Sequence, residues 1–177
     1  MDGFEVATEI ASWMDGKDHD KALELVARRR ELAIAGGYDW VTAIGRMHGK
    51  FGVNESVDYF SPELLKKFLE FRVDFLDEEL TELRDAKTAE DVVDALVDLC
   101  VVAIGTLDAF RVDARRAWAV VYEANMAKEP GVNASRPNAF GLPDLTKPAG
   151  WLPPSHEGNH GLLTKTFTTA ERKPEDD

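Results

Sequence analysis

Several acidic side chains occupy unexpected positions in the segment FRVDFLDEELTELRD, residues 71–85. On a helix that turns about 100° per residue, Glu79 falls between Phe68 and Leu83, inside the apolar sector. Glu82 falls between two phenylalanines of the same sector. A carboxylate buried without a partner is costly, and neighbouring carboxylates repel one another unless a cation lies among them. These positions therefore predict a cation site.

A second acidic helix is predicted to face the first. Within residues 89–110, Asp98 is the only charge in the otherwise apolar stretch 96–107. The joining turn is short, so the two helices should pack antiparallel, with axes about 8–10 Å apart. Carboxylates and a hard cation such as Mg²⁺ can fill that gap. The acids predicted to lie level are Glu78 with Asp98 and Glu82 with Asp94.

A buried ion pair between Arg72 and Glu79 is the structural alternative to this metal site. Acids on helices also mostly face solvent, and Asp91 is explained as the partner of Thr88 in a capping box. The metal site is favoured because several acids in apolar sectors lie level across one hairpin.

The elements that must position these acids are helices. Apolar residues recur at helical spacing over most of the first 128 positions, which predicts an all-α fold. Ser61, Thr88 and Asp113 are predicted N-caps, residues 50–60 a loop, and no strand is expected. The chain from Ser135 is rich in Pro, Gly and Asn, which is typical of irregular structure. The predicted helices span residues 3–14, 20–35, 38–48, 61–87, 89–110 and 114–128.

Composition excludes several classes of partner. The 33 acidic and 21 basic residues give a net charge of −12, which argues against nucleic acid or an anionic membrane. The longest apolar run, residues 99–107, is shorter than the roughly 20 residues that span a bilayer. The single cysteine, Cys100, favours a reducing compartment. We therefore expect a soluble, cytoplasmic protein.

The order of these motifs resembles the MazG-like all-α nucleotide pyrophosphohydrolases, and the phage-type members most. The resemblance rests on the motif EExxE at residues 78–82, the short turn that follows, and the motif DLxxVAxGT at residues 98–106, whose first residue is Asp98. The resemblance implies a helical bundle with an irregular C-terminal tail. We accordingly expect an N-terminal extension (1–37), a catalytic bundle (38–134) and a tail packed on it (135–177). The other matching segments are GKFGV (49–53), AIGTL (103–107), EANMAKE (123–129) and PDLTKPAGW (143–151).

The resemblance also implies an activity. Such enzymes hydrolyse a nucleoside triphosphate between the α and β phosphates, using Mg²⁺ or Mn²⁺, and the dGTP-specific branch is one expected affiliation. Glu79, Glu82 and Asp98 would be metal ligands, and Glu78 a ligand or the base for the attacking water. Ala95 departs from the usual ExxD motif, so Asp94 is the nearest replacement.

Six further residues are expected to contact the nucleotide. By the family match, Lys128 would reach a phosphate and Asn125 the sugar or the edge of the metal site. Arg136 and Lys147 in the irregular tail are candidates for binding the outer phosphates, and His48 and Trp40 are candidates for contacting the base. A structural role remains open for each of the six, such as that of a lysine at a helix C-terminus.

Two other functions remain open. A di-iron carboxylate bundle needs ExxH motifs, and neither Glu79 nor Glu82 has a histidine at that offset. A non-enzymatic helical interaction module would use the acids only as surface charge. For the enzyme, the family resemblance and the apolar stretch 96–107 suggest a homodimer or homotetramer.

Overall fold

The computed structural model describes residues 27–28, 39–132, 140–142 and 144–167. The predicted helix 3–14, and helix 20–35 apart from residues 27–28, lie outside the described residues. The chain divides into two compact units, Met1–Ala43 and Ile44–Asp177. The predicted boundaries after residues 37 and 134 stay predictions.

The fold is all-α, as predicted. The only strands among the described residues form one short antiparallel hairpin. No described helix is both long and apolar enough to cross a bilayer. The described elements are α1 (Trp40–Lys50), α2 (Val53–Asp58), α3 (Pro62–Asp85), α4 (Ala89–Ala109), α5 (Ala114–Met126), β1 (Glu129–Gly131), β2 (Asp144–Thr146) and α6 (Leu163–Thr166).

The helices that carry the acids begin at the predicted caps. Ser61 Oγ accepts a hydrogen bond from Leu64 N (3.2 Å) at the start of α3. At the start of α4, Asp91 N donates to Thr88 Oγ1 (3.1 Å) and Thr88 N donates to Asp91 Oδ2 (2.8 Å). Asp113 caps α5. These side chains satisfy amide groups that have no partner within the helix, so the helix starts are fixed locally.

The loop predicted for residues 50–60 is wrong, because α2 lies within it. Gly52 precedes this helix in the left-handed conformation (φ 67°) and supplies no side-chain cap. Tertiary contacts hold α2 instead. Arg111 donates to the carbonyl oxygen of Asn54 (3.0 Å) and to the carboxylate of Asp58 (Nε to Oδ1, 2.9 Å). The guanidinium of Arg111 lowers the pKa of the Asp58 carboxyl. Contacts over such separations leave no local sequence signal.

The expectation of no strand is also wrong. Strand β1 pairs with β2 in the register Glu129 to Thr146, Pro130 to Leu145 and Gly131 to Asp144. The strands are three residues long, and β1 contains a proline and a glycine, which are rare inside strands. The hairpin therefore lacks the alternating pattern by which strands are recognised.

The core of the second unit lies where α2, α3 and the α4–α5 turn meet. Val57, Leu65, Phe110 and Val112 are buried together. The Phe68 ring stacks on the Phe110 ring, with centroids 5.6 Å apart. This cluster anchors one end of the helical hairpin that carries the acids.

Phe110→Ala is expected to lower the free energy of unfolding by about 3–5 kcal/mol, because it empties a fully buried ring site. Phe51→Ala is the matched control. That side chain is exposed, and the change should stay within about 0.5 kcal/mol. Urea unfolding of both variants gives the comparison, and equal losses would contradict this placement of the core.

The C-terminal segment packs on the α4–α5 turn. Leu162 N donates to Phe110 O (2.7 Å). Asn159 Oδ1 accepts from Asp113 N (2.9 Å), while its Nδ2 donates to Asp113 O (2.9 Å). Gly161 sits so close that a Cβ there would overlap the Phe110 carbonyl oxygen. The segment therefore joins the bundle through the backbone of Leu162 and the side chain of Asn159, which bind the backbone of Phe110 and Asp113.

Gly161→Ala is expected to destabilise the protein by about 2 kcal/mol or more, since it adds steric overlap to a strained positive φ of 52°. Gly158→Ala separates the two effects. Its φ is 68°, but the nearest heavy atom would lie 3.9 Å from the new Cβ. Thermal unfolding should show the larger loss for Gly161→Ala, and equal losses would argue against the close contact.

Candidate active site

The predicted acidic hairpin is present. Helices α3 and α4 pack against each other, joined by residues 86–88. Glu79 and Asp98 are half-buried, whereas Glu78, Glu82 and Asp94 are exposed. The Oε2 atom of Glu79 is shielded from solvent and has no hydrogen-bond partner among the described residues. A carboxylate oxygen in that state is costly unless something absent from the single chain completes it.

The electrostatic surroundings of Glu79 explain why a cation is expected there. Burial raises the pKa of the Glu79 carboxyl, and the negative charges of Glu82, Asp98, Glu78 and Asp94 raise it further, in that order. The structure thus brings all five predicted acids into one electrostatic neighbourhood around Glu79.

The structural alternative, an Arg72–Glu79 ion pair, is wrong. Arg72 Nε donates to Thr106 Oγ1 (3.0 Å), and Nη2 donates to the carbonyl oxygen of Val102 (2.9 Å). The guanidinium also lies over the Phe75 ring, 5.5 Å from its centroid. The guanidinium of Arg72 is therefore hydrogen-bonded to α4, and its positive charge is not paired with the Glu79 carboxylate.

The donor set fits a hard divalent cation such as Mg²⁺, since its members are carboxylate oxygens and one of them is buried without a partner. In the described part of the chain, no three His, Cys, Asp or Glu side chains already converge as a metal-binding group.

The burial predicted for Glu82 is wrong. Its position falls in the apolar sector of α3, but the residue is exposed, and Phe71 beside it is itself 49% exposed. On α4, Leu96 and Val97 are 48% and 42% exposed in the single chain, so the burial of this apolar stretch at a subunit interface stays a prediction. A helical wheel gives the direction of a side chain, whereas burial also requires an element that covers it.

His48 lies inside the second unit, at 6% exposure. Its Nδ1 pairs with Asp108 Oδ2 (2.8 Å), and Asn54 Nδ2 donates to the same oxygen (3.0 Å). A Cβ at Gly105 would lie 3.2 Å from both His48 Nε2 and Arg72 Nη2. The network ties α1, α2, α3 and α4 together. Asp108 and Asn54 were missed, since their separations of 60 and 54 residues leave no local signal.

Three residues that were predicted to contact the nucleotide, Asn125, Lys128 and Lys147, lie close to the ends of the β1–β2 hairpin. Lys128 Nζ donates to Asn125 Oδ1 (2.8 Å), and Lys128 and Lys147 both approach the Trp151 ring. Trp40, in the first unit, is 46% exposed. Arg136 lies outside the described residues. The nucleotide contacts predicted for all of these residues stay predictions.

The fold and the site define a class of protein: an all-α protein in which two antiparallel helices place four acids around Glu79, whose Oε2 atom is shielded from solvent and has no partner among the described residues. The model of the phosphoribosyl-ATP pyrophosphohydrolase family matches residues 53–125, and this family is part of the MazG-like all-α nucleoside triphosphate pyrophosphohydrolase superfamily. The match runs from α2 into α5 and includes all five acids. No curated protein matches the chain. Together these findings support a pyrophosphohydrolase that acts on nucleotides.

Proposed function

We propose that the protein is a metal-dependent nucleoside triphosphate pyrophosphohydrolase, which releases a nucleoside monophosphate and diphosphate. One observation carries the proposal. The buried Oε2 of Glu79 lacks a partner among the described residues and is surrounded by acids within the segment that matches the family.

The acids of the site have two different roles, cation binding and proton acceptance. Glu79, Glu82 and Asp98 would hold Mg²⁺ or Mn²⁺, and Asp94 would assist them. When bound, the cation neutralises the charge of the phosphoryl oxygens. Glu78 is exposed at the edge of the acids, where it can accept a proton from the attacking water. That water forms a bond to phosphorus, the bridging P–O bond breaks, and diphosphate leaves.

The substrate is proposed from two sources. The tail PDLTKPAGW resembles that of phage-type relatives, which favours a purine deoxynucleoside triphosphate such as dGTP. The name of the matched family favours phosphoribosyl-ATP as a second candidate. In both, the scissile bond joins an α to a β phosphate.

The deciding experiment incubates pure protein with each common nucleoside triphosphate, and separately with phosphoribosyl-ATP, in Mg²⁺ or Mn²⁺. Diphosphate and monophosphate in equal amounts are expected. Orthophosphate alone, or no product from any substrate, would reject the proposal. The relative rates identify the preferred base and sugar.

We further propose that the working form is a homodimer or homotetramer. The apolar side chains of Val93, Leu96 and Val97 are exposed on α4 of the single chain, and a second copy would cover them. Light scattering should give two or four times the mass of one chain, and a monomer would contradict the proposal.

A further inference from the structure

Arg72 of α3 is bound to two groups of α4 at once. Its Nε donates to Thr106 Oγ1 (3.0 Å), and its Nη2 donates to the carbonyl oxygen of Val102 (2.9 Å). Thr106 Oγ1 in turn donates to the same carbonyl oxygen (2.7 Å). These hydrogen bonds form a closed ring, the Arg72 clamp, which uses the planar fork of the guanidinium.

Two neighbours fix the guanidinium within the clamp. It lies over the ring of Phe75, one turn further along α3. On α4, Gly105 leaves room for it, since a Cβ there would lie 3.2 Å from Arg72 Nη2. Burial lowers the pKa of the Arg72 guanidinium, and among the described residues it forms no ion pair with a carboxylate. A charge in this position is costly, which indicates a role that an apolar side chain could not fill.

The clamp supplies the directional contacts between the two helices. In the part of the chain that the structure describes, the only side-chain hydrogen bonds that join α3 to α4 are those of Arg72. Apolar packing is non-directional, and packed helices can slide past each other by small amounts. Hydrogen bonds hold donor and acceptor within narrow limits of distance and angle, so the clamp fixes the register.

The clamp lies at a matching distance from the two half-buried acids. Arg72 lies seven residues before Glu79 on α3, and its partners lie four and eight residues after Asp98 on α4. Each acid is therefore roughly 10 Å from the clamp along its own helix, on the side of the joining turn. A slip of one residue at the clamp would move the two acids past each other by about 1.5 Å.

We propose that Arg72 and Thr106 are positioning residues that set the register of α3 against α4, and thereby the separation of the Glu79 and Asp98 carboxylates. The effect on the register is independent of the proposed function, whereas the effect on cation binding rests on it. Mg²⁺ demands a nearly ideal octahedron of oxygens, whereas Ca²⁺ accepts flexible geometry. Loss of the clamp should therefore weaken the binding of Mg²⁺ more than that of Ca²⁺.

The first measurement is the distance between spin labels on the two helices. Labels at Asp77→Cys and Glu90→Cys, both exposed positions, report the register, with Cys100→Ser so that the only native cysteine is not labelled. Labelled protein is mixed with excess unlabelled protein so that only distances within one chain are read. Arg72→Lys, which loses the planar fork, should broaden the distance distribution and displace its mean by about 1.5 Å or more.

Arg111→Lys is the matched control, because Arg111 also donates from Nε and Nη2 but binds α2. It should leave the label distance unchanged. Thr106 supplies a conservative rescue. Thr106→Val replaces the hydroxyl by a methyl group and should act like Arg72→Lys, whereas Thr106→Ser keeps the hydroxyl and should behave as wild type does.

The second measurement is cation affinity by calorimetry. Arg72→Lys and Thr106→Val should bind Mg²⁺ about tenfold more weakly, as is typical when the support of a metal ligand is removed. The loss for Ca²⁺ should be smaller. Partial unfolding would weaken the binding of both cations equally, and Arg111→Lys should weaken neither.

An unchanged label distance in Arg72→Lys, or the same displacement in Arg111→Lys, would overturn the clamp. A displaced register with the Mg²⁺ affinity of wild type would show that the clamp does not position the acids. If wild-type protein binds no cation and releases no diphosphate, the proposed function fails, and the label distances alone decide whether the clamp sets the register.

Discussion

Glu79→Gln should reduce diphosphate release by about a thousandfold and, in metal-free protein, raise the melting temperature by a few degrees. The first effect follows because a bound metal contributes several kcal/mol to the stabilisation of the transition state. The second follows because the carboxylate is partly buried among four other negative charges, and the neutral amide removes that repulsion. Activity assays and thermal unfolding in chelator measure the two effects.

Glu70→Gln is the matched control, because Glu70 lies on the same helix, is exposed, and does not contribute to the raised pKa of Glu79. It should change neither activity nor melting temperature appreciably. A Glu79→Gln variant that is destabilised in chelator, or that keeps its activity, would show that Glu79 is a structural residue.

Metal removal should have the other large effect. Chelator is expected to abolish diphosphate release, because without a cation the acids repel a triphosphate. Adding Mg²⁺ should stabilise the wild-type fold by about 2.7 kcal/mol at one hundred times the dissociation constant. In Asp98→Asn this stabilisation should be largely lost, since one of the two half-buried acids proposed to hold the cation is then neutral.

Sodium chloride at matched ionic strength distinguishes binding from screening, because screening acts on all surface charges alike. It should stabilise the wild type less than Mg²⁺ does. Equal stabilisation by the two salts, or turnover in excess chelator, would contradict a metal site between α3 and α4.

The parts of the fold that could be predicted are those fixed by local interactions. Helices α3 and α4 are long, periodic and capped by Ser61 and Thr88, so their existence and antiparallel pairing follow from the sequence. The acids Glu79 and Asp98 were found for the same reason, since periodicity gives the direction of each side chain.

The parts that could not be predicted depend on distant partners. Helix α2 depends on Arg111, and the His48 network on Asp108. The exposure of Glu82 and Leu96 depends on which element covers them, which a single helix cannot reveal. Trp151 was quoted only as part of a matching segment. Its contacts with Lys128 and Lys147 depend on the β1–β2 hairpin, which brings both lysines close to the indole ring.

The acidic hairpin has a consequence for how the chain folds. Glu79 and Asp98 are joined by two consecutive helices and a short turn, whereas His48 and Asp108 are 60 residues apart. Contacts between sequence neighbours form early, because little chain entropy is lost in closing a short loop. The hairpin should therefore assemble before the rest of the bundle, and charge repulsion should slow that early step. A divalent cation bound at the proposed site should then accelerate refolding in addition to slowing unfolding.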